Sequence, residues 1–229
     1  YLIKKFADAT NKKAGEFYTP HEVSLLMSEI VADHLKNKSE IEIYDPTSGS
    51  GSLLITIGQS VAKHMTDSQH IKYYAQELKQ NTYNLTRMNL VMRGIRPDNL
   101  VTRNGDTLED DWPYFDDNDR ERTYQPLYVD AVVSNPPYIA SPVIQTLDVE
   151  VREYDPLLAL DGGPDGLEAY RILLAESARL LGPGGLAGFE VGYDQAGALA
   201  DLARIHPLEC LRIAHDLSGN PRCIAFKRS

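Results

Sequence analysis

Asn135-Pro136-Pro137-Tyr138 leaves the end of the apolar run Tyr128-Val129-Asp130-Ala131-Val132-Val133, which reads as a buried strand. The two prolines fix φ and remove backbone donors, so the carbonyls of this turn stay available as acceptors. Asn135 adds a side-chain carbonyl and Tyr138 adds a flat face. Together they suit a planar amino group whose nitrogen lone pair is delocalised, such as adenine N6 or a carboxamide nitrogen. Two acceptors would take its hydrogens while the ring stacks on its plane. An ordinary strand-to-loop turn explains four such residues about as well, so the weight falls on the segments upstream.

Asp45-Pro46-Thr47-Ser48-Gly49-Ser50-Gly51-Ser52 lies between Ile41-Glu42-Ile43-Tyr44 and Leu53-Leu54-Ile55, a strand, a small-residue loop and a helix. Such a loop lets the backbone approach a ligand closely, and the helix start offers free N–H groups to an anion. A tight turn with a serine cap is the plain alternative. The dinucleotide fingerprint is excluded, because no third glycine follows Gly49-x-Gly51 at the required spacing. Ile71-Lys72-Tyr73-Tyr74-Ala75-Gln76-Glu77 ends a second strand on an acid. A carboxylate there can accept from two ribose hydroxyls, or Glu77 is a first-turn helix acid. Asn104-Gly105-Asp106-Thr107-Leu108 forms a third loop, in which Asp106 accepts from an adenine amino group or caps a turn. Ahead of all three, Thr19 as N-cap, Pro20 at N1 and Glu22 at N3 make a capping box, so a helix starts there whatever the function.

These segments carry a family resemblance. The tetrapeptide resembles motif IV of the S-adenosylmethionine (AdoMet)-dependent amino N-methyltransferases, and the loop from Asp45 resembles their motif I. Phe17-Tyr18-Thr19-Pro20 is similar to motif X of the γ-class adenine methyltransferases, where this turn covers the methionine part of AdoMet. In order, residues 1–138 resemble the modification subunit of type I restriction-modification systems, which methylates adenine N6 in DNA with a separate specificity subunit. The resemblance implies cofactor contacts from Phe17, Thr19, Asp45, Thr47, Ser48, Gly49, Gly51, Glu77, Asp106 and Thr107, and catalysis by Asn135, Pro136, Pro137 and Tyr138. Beyond Tyr138 the likeness changes. Val149-Glu150-Val151-Arg152-Glu153-Tyr154-Asp155-Pro156, Asp161-Gly162-Gly163-Pro164-Asp165-Gly166-Leu167 and Glu190-Val191-Gly192-Tyr193-Asp194-Gln195 resemble the release-factor glutamine N5-methyltransferases, which share Asn-Pro-Pro-Tyr. Residues 1–229 thus read as one methyltransferase domain, a junction of an M-subunit-like half (1–138) and a glutamine-methyltransferase-like half (139–229), either an engineered or recombined chimera or an unusual natural relative.

The elements that must position these residues follow from the pattern. β character near 41–45, 71–77, 98–103, 128–134, 186–191, 208–215 and 222–227 alternates with helical periodicity near 20–36, 52–65, 79–94, 166–181 and 194–204. That alternation predicts an α/β fold, a mostly parallel sheet with helices on both faces. The turn 217–221 is too short for a helix, so the last two strands should form an antiparallel hairpin. This is the Rossmann-like, seven-stranded architecture of class I AdoMet methyltransferases that the resemblance implies. The stretches 109–124 and 139–166 read as irregular and close to the site mouth.

Composition narrows the partners. With 229 residues, 42% of them hydrophobic, one sizeable core is expected. The net charge is −10 and both halves are acidic, with 15 basic against 20 acidic side chains up to residue 138 and 8 against 13 after it. Weak intrinsic nucleic-acid binding follows, so DNA would be engaged through the specificity subunit, or release factor would be the substrate in the other reading. Lys4, Lys5, Lys12 and Lys13 are the one basic cluster and read as a solvated face. Six scattered histidines show no ligand spacing, so no metal is expected. No apolar run of membrane length or signal peptide is visible, which points to a cytoplasmic protein with Cys210 and Cys223 as buried free thiols.

Overall fold

The computed structural model describes Thr19, residues 21–108 and residues 128–229. Within them run α1 (His21–Leu35), β1 (Ile41–Asp45), α2 (Ser52–Ala62), β2 (Ile71–Glu77), α3 (Gln80–Met92), β3 (Leu100–Asn104) and β4 (Val129–Ser134). Then come three short helices, α4 (Ser141–Ile144), α5 (Val149–Tyr154) and α6 (Leu157–Leu160). The chain continues with α7 (Glu168–Leu180), β5 (Leu181–Glu190), α8 (Ala196–Ala203), β6 (Leu208–His215) and β7 (Pro221–Arg228).

The seven strands form one sheet in the order β3-β2-β1-β4-β5-β7-β6. β1 to β5 pair in parallel, while β7 runs antiparallel to both β5 and β6. The expected hairpin is present, with β7 between its partner β6 and the parallel strands. Asp216 closes the hairpin turn, its carboxylate accepting from the Ser218 and Asn220 N–H groups and from Arg222 Nε.

Inner strands of a parallel sheet are covered on both faces, so they read as continuous apolar runs. Neighbouring residues accordingly enter opposite cores: Ile43, Tyr73 and Val133 pack with Met27, Leu35, Leu54 and Ile57 of α1 and α2. Tyr44, Tyr74 and Val132 pack on the other face with Tyr170, Leu173 and Leu174 of α7 and Leu199 of α8. On the first face α2 lies so close that a Cβ on Gly58 would come within 2.8 Å of Tyr73 Cε1.

Three expectations change. β5 starts at Leu181, five residues before position 186, because Leu181 pairs with Val129 and the chain then bulges before Leu186 meets Ala131. The intervening Gly182-Pro183-Gly184-Gly185 has no β propensity of its own, which hides the continuity. The stretch 139–166 holds α4, α5 and α6, each too short to show a helical period. Cys210 is exposed on β6 while Cys223 is buried on β7, each facing another partner across the pair, so only one thiol is a core group. The 109–124 stretch and the basic cluster of lysines lie outside the described residues. Among the described residues, no helix is long and apolar enough to cross a membrane.

Candidate active site

Because β1 to β4 are parallel, their carboxyl ends share one edge, where ligands sit in open α/β sheets. A cavity of about 230 Å³ opens there. Of the residues singled out above, Thr19, Asp45, Thr47, Ser48, Gly49, Glu77, Asp106, Thr107, Asn135 and Pro137 line it. Phe17 lies outside the described residues. Gly51, Pro136 and Tyr138 are not among the residues that line it.

Asp45 ends β1 and is 1% exposed. Its Oδ1 accepts from the Thr47 N–H at 3.0 Å, and burial pushes the carboxyl up to about 7 despite that bond. Glu77 ends β2 and bridges two loops: Oε2 accepts from the Gly49 N–H at 3.0 Å and Oε1 from the Lys79 N–H at 2.9 Å. Burial raises its pKa, with those N–H groups opposing the rise. Each oxygen still has a second lone pair for a ligand hydroxyl. Asp106 Oδ1 accepts from the Leu108 N–H at 2.9 Å, the turn-capping geometry, while the residue also lines the cavity. Thr107 donates to the Pro46 carbonyl, tying the third loop to the first.

The glycine loop is held by α3, a contribution that neither spacing nor motif announced. Asn89 Nδ2 donates to the Ser50 carbonyl at 2.8 Å and Thr86 Oγ1 to the Gly49 carbonyl. Gly51, at φ 78°, caps α2, and a Cβ on it would stand 3.1 Å from Thr86 Cγ2. Its glycine serves the turn and the approach of α3. Ser48 Oγ is buried with no hydrogen-bond partner among the described residues. A polar atom in that state is suited to a polar ligand group. Leu53, Leu78, Leu108 and Leu158 give the same cavity an apolar wall.

At the end of β4, Thr47 Oγ1 lies 2.7 Å from Ser134 Oγ and 3.4 Å from the Asn135 carbonyl. Asn135 Nδ2 donates to Thr19 Oγ1 at 3.1 Å, which turns Oδ1 the other way. That Oδ1 is buried and has no partner among the described residues. It is an acceptor waiting for a donor, beside the cavity. Tyr138 is half-buried against the core around Tyr170 and Phe189, with its hydroxyl 3.5 Å from Glu190 Oε1. Burial pushes its phenol up to about 12 and the Glu190 carboxyl up to about 7.

A second wall comes from residues 139–166. The Ile139 N–H donates to the Leu160 carbonyl at 3.0 Å and the Gly162 N–H returns to the Ile139 carbonyl at 2.8 Å. Ser141 Oγ donates to Asp161 Oδ1 at 2.7 Å. Pro156, Leu158 and Ala159 thereby reach the cavity, joined from α7 by Ala169 and Leu173. The position of this segment between the Asn135–Tyr138 turn and the next helix was legible, but its lining residues were not. Among the described residues, no group of three His, Cys, Asp or Glu side chains could hold a metal ion.

Known proteins are similar to this chain in sequence and in fold. Over 218 residues the chain is 30% identical to the release factor glutamine methyltransferase of Clostridium botulinum, covering 95% of this chain and 70% of that protein. Shorter alignments of 95 and 99 residues reach 54% and 43% identity with other release factor glutamine methyltransferases, and the chain then spans only 33% and 34% of their length. The solved type I restriction-modification methyltransferase subunit from Streptococcus thermophilus is 28% identical at a TM-score of 0.68, aligned over 100% of this chain and 47% of that one. A SAM-dependent O-methyltransferase from Thermotoga maritima shares the fold alone, at 15% identity and a TM-score of 0.57, over 100% of this chain and 71% of its own. The N-6 DNA Methylase family matches residues 1–154, past the boundary expected at 138. With 154 of 229 residues inside that match, and with its seven strands in the class I methyltransferase arrangement, the chain belongs to the N-6 DNA methylase family.

Proposed function

We propose that this chain is an AdoMet-dependent N-methyltransferase acting on a planar amino group, with adenine N6 in DNA as the preferred acceptor. The observation that carries the reading is the buried, unpartnered Oδ1 of Asn135 at the edge of the cavity. The donor set fits AdoMet: the start of α2 and Ser48 for its amino-acid part, Glu77 for its ribose hydroxyls, Asp106 and the leucine wall for its adenine. When bound, AdoMet supplies an electrophilic methyl group. Asn135 Oδ1 and the Pro136 carbonyl take the two N–H groups of the acceptor, which keeps the nitrogen lone pair out of the ring or carbonyl π-system. Tyr138 limits the plane in which the acceptor lies. The burial that raises Asp45, Glu77 and Glu190 also keeps water from screening these dipoles. Position and electrostatics supply the rate, and no covalent enzyme intermediate is required.

Glutamine N5 is a second acceptor reading, supported by residues 139–166 being stitched to the catalytic turn by main-chain bonds. The acceptor wall is therefore built from the part that resembles the glutamine enzymes. In either reading recognition comes from outside the chain: a specificity partner for DNA, in keeping with the net charge of −10, or the release factor itself. The two-part origin belongs to this reading. A match to the N-6 DNA Methylase family over residues 1–154 stands beside release factor glutamine methyltransferase alignments, of which the short ones reach higher identity and one spans 95% of the chain.

The test begins with calorimetric titration of AdoMet into the parent and an Asp45→Ala/Glu77→Ala double variant. Micromolar binding, lost in the variant, is expected. Methyl transfer is then measured on single-stranded DNA containing adenine and on a Gly-Gly-Gln peptide. Transfer to either establishes the reaction class and selects the acceptor. Binding without transfer to either would reduce the chain to a folded AdoMet-binding protein.

A further inference from the structure

The catalytic turn is gripped from behind by one side chain outside the tetrapeptide. Gln195, which opens α8, donates from Nε2 to the Tyr138 carbonyl at 2.7 Å and to the Gly166 carbonyl at 3.1 Å. Its Oε1 accepts from the Gly192 N–H at 3.0 Å. The amide's oxygen and both of its N–H donors are thus engaged, each to the backbone of a different segment: the turn after β4, the glycine loop before α7 and the turn after β5. Its own backbone is equally fixed, the N–H bonding to Gly192 O at 3.1 Å and the carbonyl accepting from Leu199 at 2.9 Å.

Space around the amide is cut to measure. A Cβ on Gly192 would stand 2.8 Å from Gln195 Oε1, and one on Gly166 would stand 2.7 Å from Nε2 and 2.5 Å from the Tyr138 carbonyl oxygen. Gly166 is also at φ 75°, so a side chain is disfavoured twice over. Glu190, from the same stretch, lies 3.5 Å from the other end of Tyr138, at its hydroxyl. Main chain and ring are thus both addressed by the segment Glu190-Val-Gly-Tyr-Asp-Gln195.

We propose that Gln195 is a positioning residue for methyl transfer, holding the Tyr138 peptide so that the ring and the Pro136 and Asn135 acceptors share one geometry. This rests on the methyltransferase reading above. Gln195→Glu is the informative variant: it keeps the shape and the bond to Gly192, but puts an acceptor where the two carbonyls need a donor. AdoMet affinity, which reports on the pocket on the other side of the turn, is expected to stay within about twofold of the parent. Meanwhile kcat on the acceptor that the parent uses should fall about tenfold or more, with a raised acceptor KM. Unchanged turnover, or a parallel loss of AdoMet binding and melting temperature, would overturn the assignment.

A second readout does not need turnover. With 3-fluorotyrosine placed at position 138, the fluorine resonance should shift or split in Gln195→Glu and in Gln195→Ala, because the peptide that carries the ring is released. An unchanged single resonance in both would refute the clamp. A parent that methylates neither acceptor would sink the functional reading, while the fluorine spectra would still decide the role of Gln195.

Discussion

Asn135 has one amide and two directions to point it. The hydroxyl of Thr19 settles the choice, taking the Nδ2 hydrogen at 3.1 Å and leaving Oδ1 for the acceptor. Asn135→Ala removes the proposed acceptor atom and leaves in place the loop proposed to hold the cofactor. Turnover should fall on the order of 10²-fold while AdoMet affinity changes by less than about threefold. Steady-state kinetics beside calorimetry checks this, and equal losses in both would refute the role. Thr19→Val keeps the shape and removes the hydroxyl, so the amide can turn over. A loss of about tenfold in kcat is expected, with the melting temperature falling by no more than the loss of a helix cap, about 1 kcal/mol, explains. The types and order of Asn135, Pro136 and Tyr138 were legible in the chain because short motifs keep their chemistry together. The partnership of Thr19 with Asn135 was not: 116 positions separate them, and a threonine at a helix start is already explained by capping.

At the scale of elements, the strand ends that face the cavity were legible and the pieces that brace them were not. β1, β2 and β4 are buried on both faces and announce themselves by their β-branched and aromatic residues. α3 reveals its grip on the glycine loop only through Thr86 and Asn89, two polar residues buried on a helix of mainly exposed side chains. Likewise, nothing in Asp161-Gly162-Gly163 states that it packs on the turn at Tyr138. A Cβ on Gly162 would stand 2.8 Å from the Tyr138 Cα and 2.9 Å from the Gly166 Cα, backbone against backbone. Neither neighbour can rotate away. Gly162→Ala should therefore destabilise the fold by about 1–3 kcal/mol and disturb the turn. Turnover should be lost well beyond what the fraction unfolded explains. A variant that melts and turns over like the parent would show that residues 139–166 sit more loosely on the turn than these contacts imply.

Across the whole molecule, two carboxyls on separate strands are buried at the carboxyl edge of the sheet. Asp45, on β1, moves from an ordinary value of 3.8 up to about 7, and Glu190, on β5, from 4.5 up to about 7, with burial the leading cause in both. A carboxyl raised by folding favours the folded state while protonated. Its contribution is full below the unfolded value and is lost as pH rises through the folded one. Stability should therefore fall between about pH 4.5 and 7 and level off above. Asp33 beside Lys36, Asp165 beside Arg171, and Asp216, held first by the Asn220 N–H and then by Arg222, act with the opposite sign, since those carboxyls are lowered and their contribution is lost only as pH falls below the ordinary value. They are open to solvent and screened. The net charge of −10 acts in the same direction as the buried acids, so the parent alone cannot separate the two causes. Asp45→Asn can, because the amide still accepts from the Thr47 N–H but carries no charge at any pH. Its melting temperature should exceed the parent's at pH 8, by a stabilisation on the order of 2 kcal/mol, and match it near pH 4. Its slope between those limits should be shallower. Parallel pH profiles for parent and variant would mean that Asp45 ionises without cost, and would place the penalty on the surface charge. The same carboxyl would then be too well hydrated to belong to the dry edge on which the proposed transfer depends.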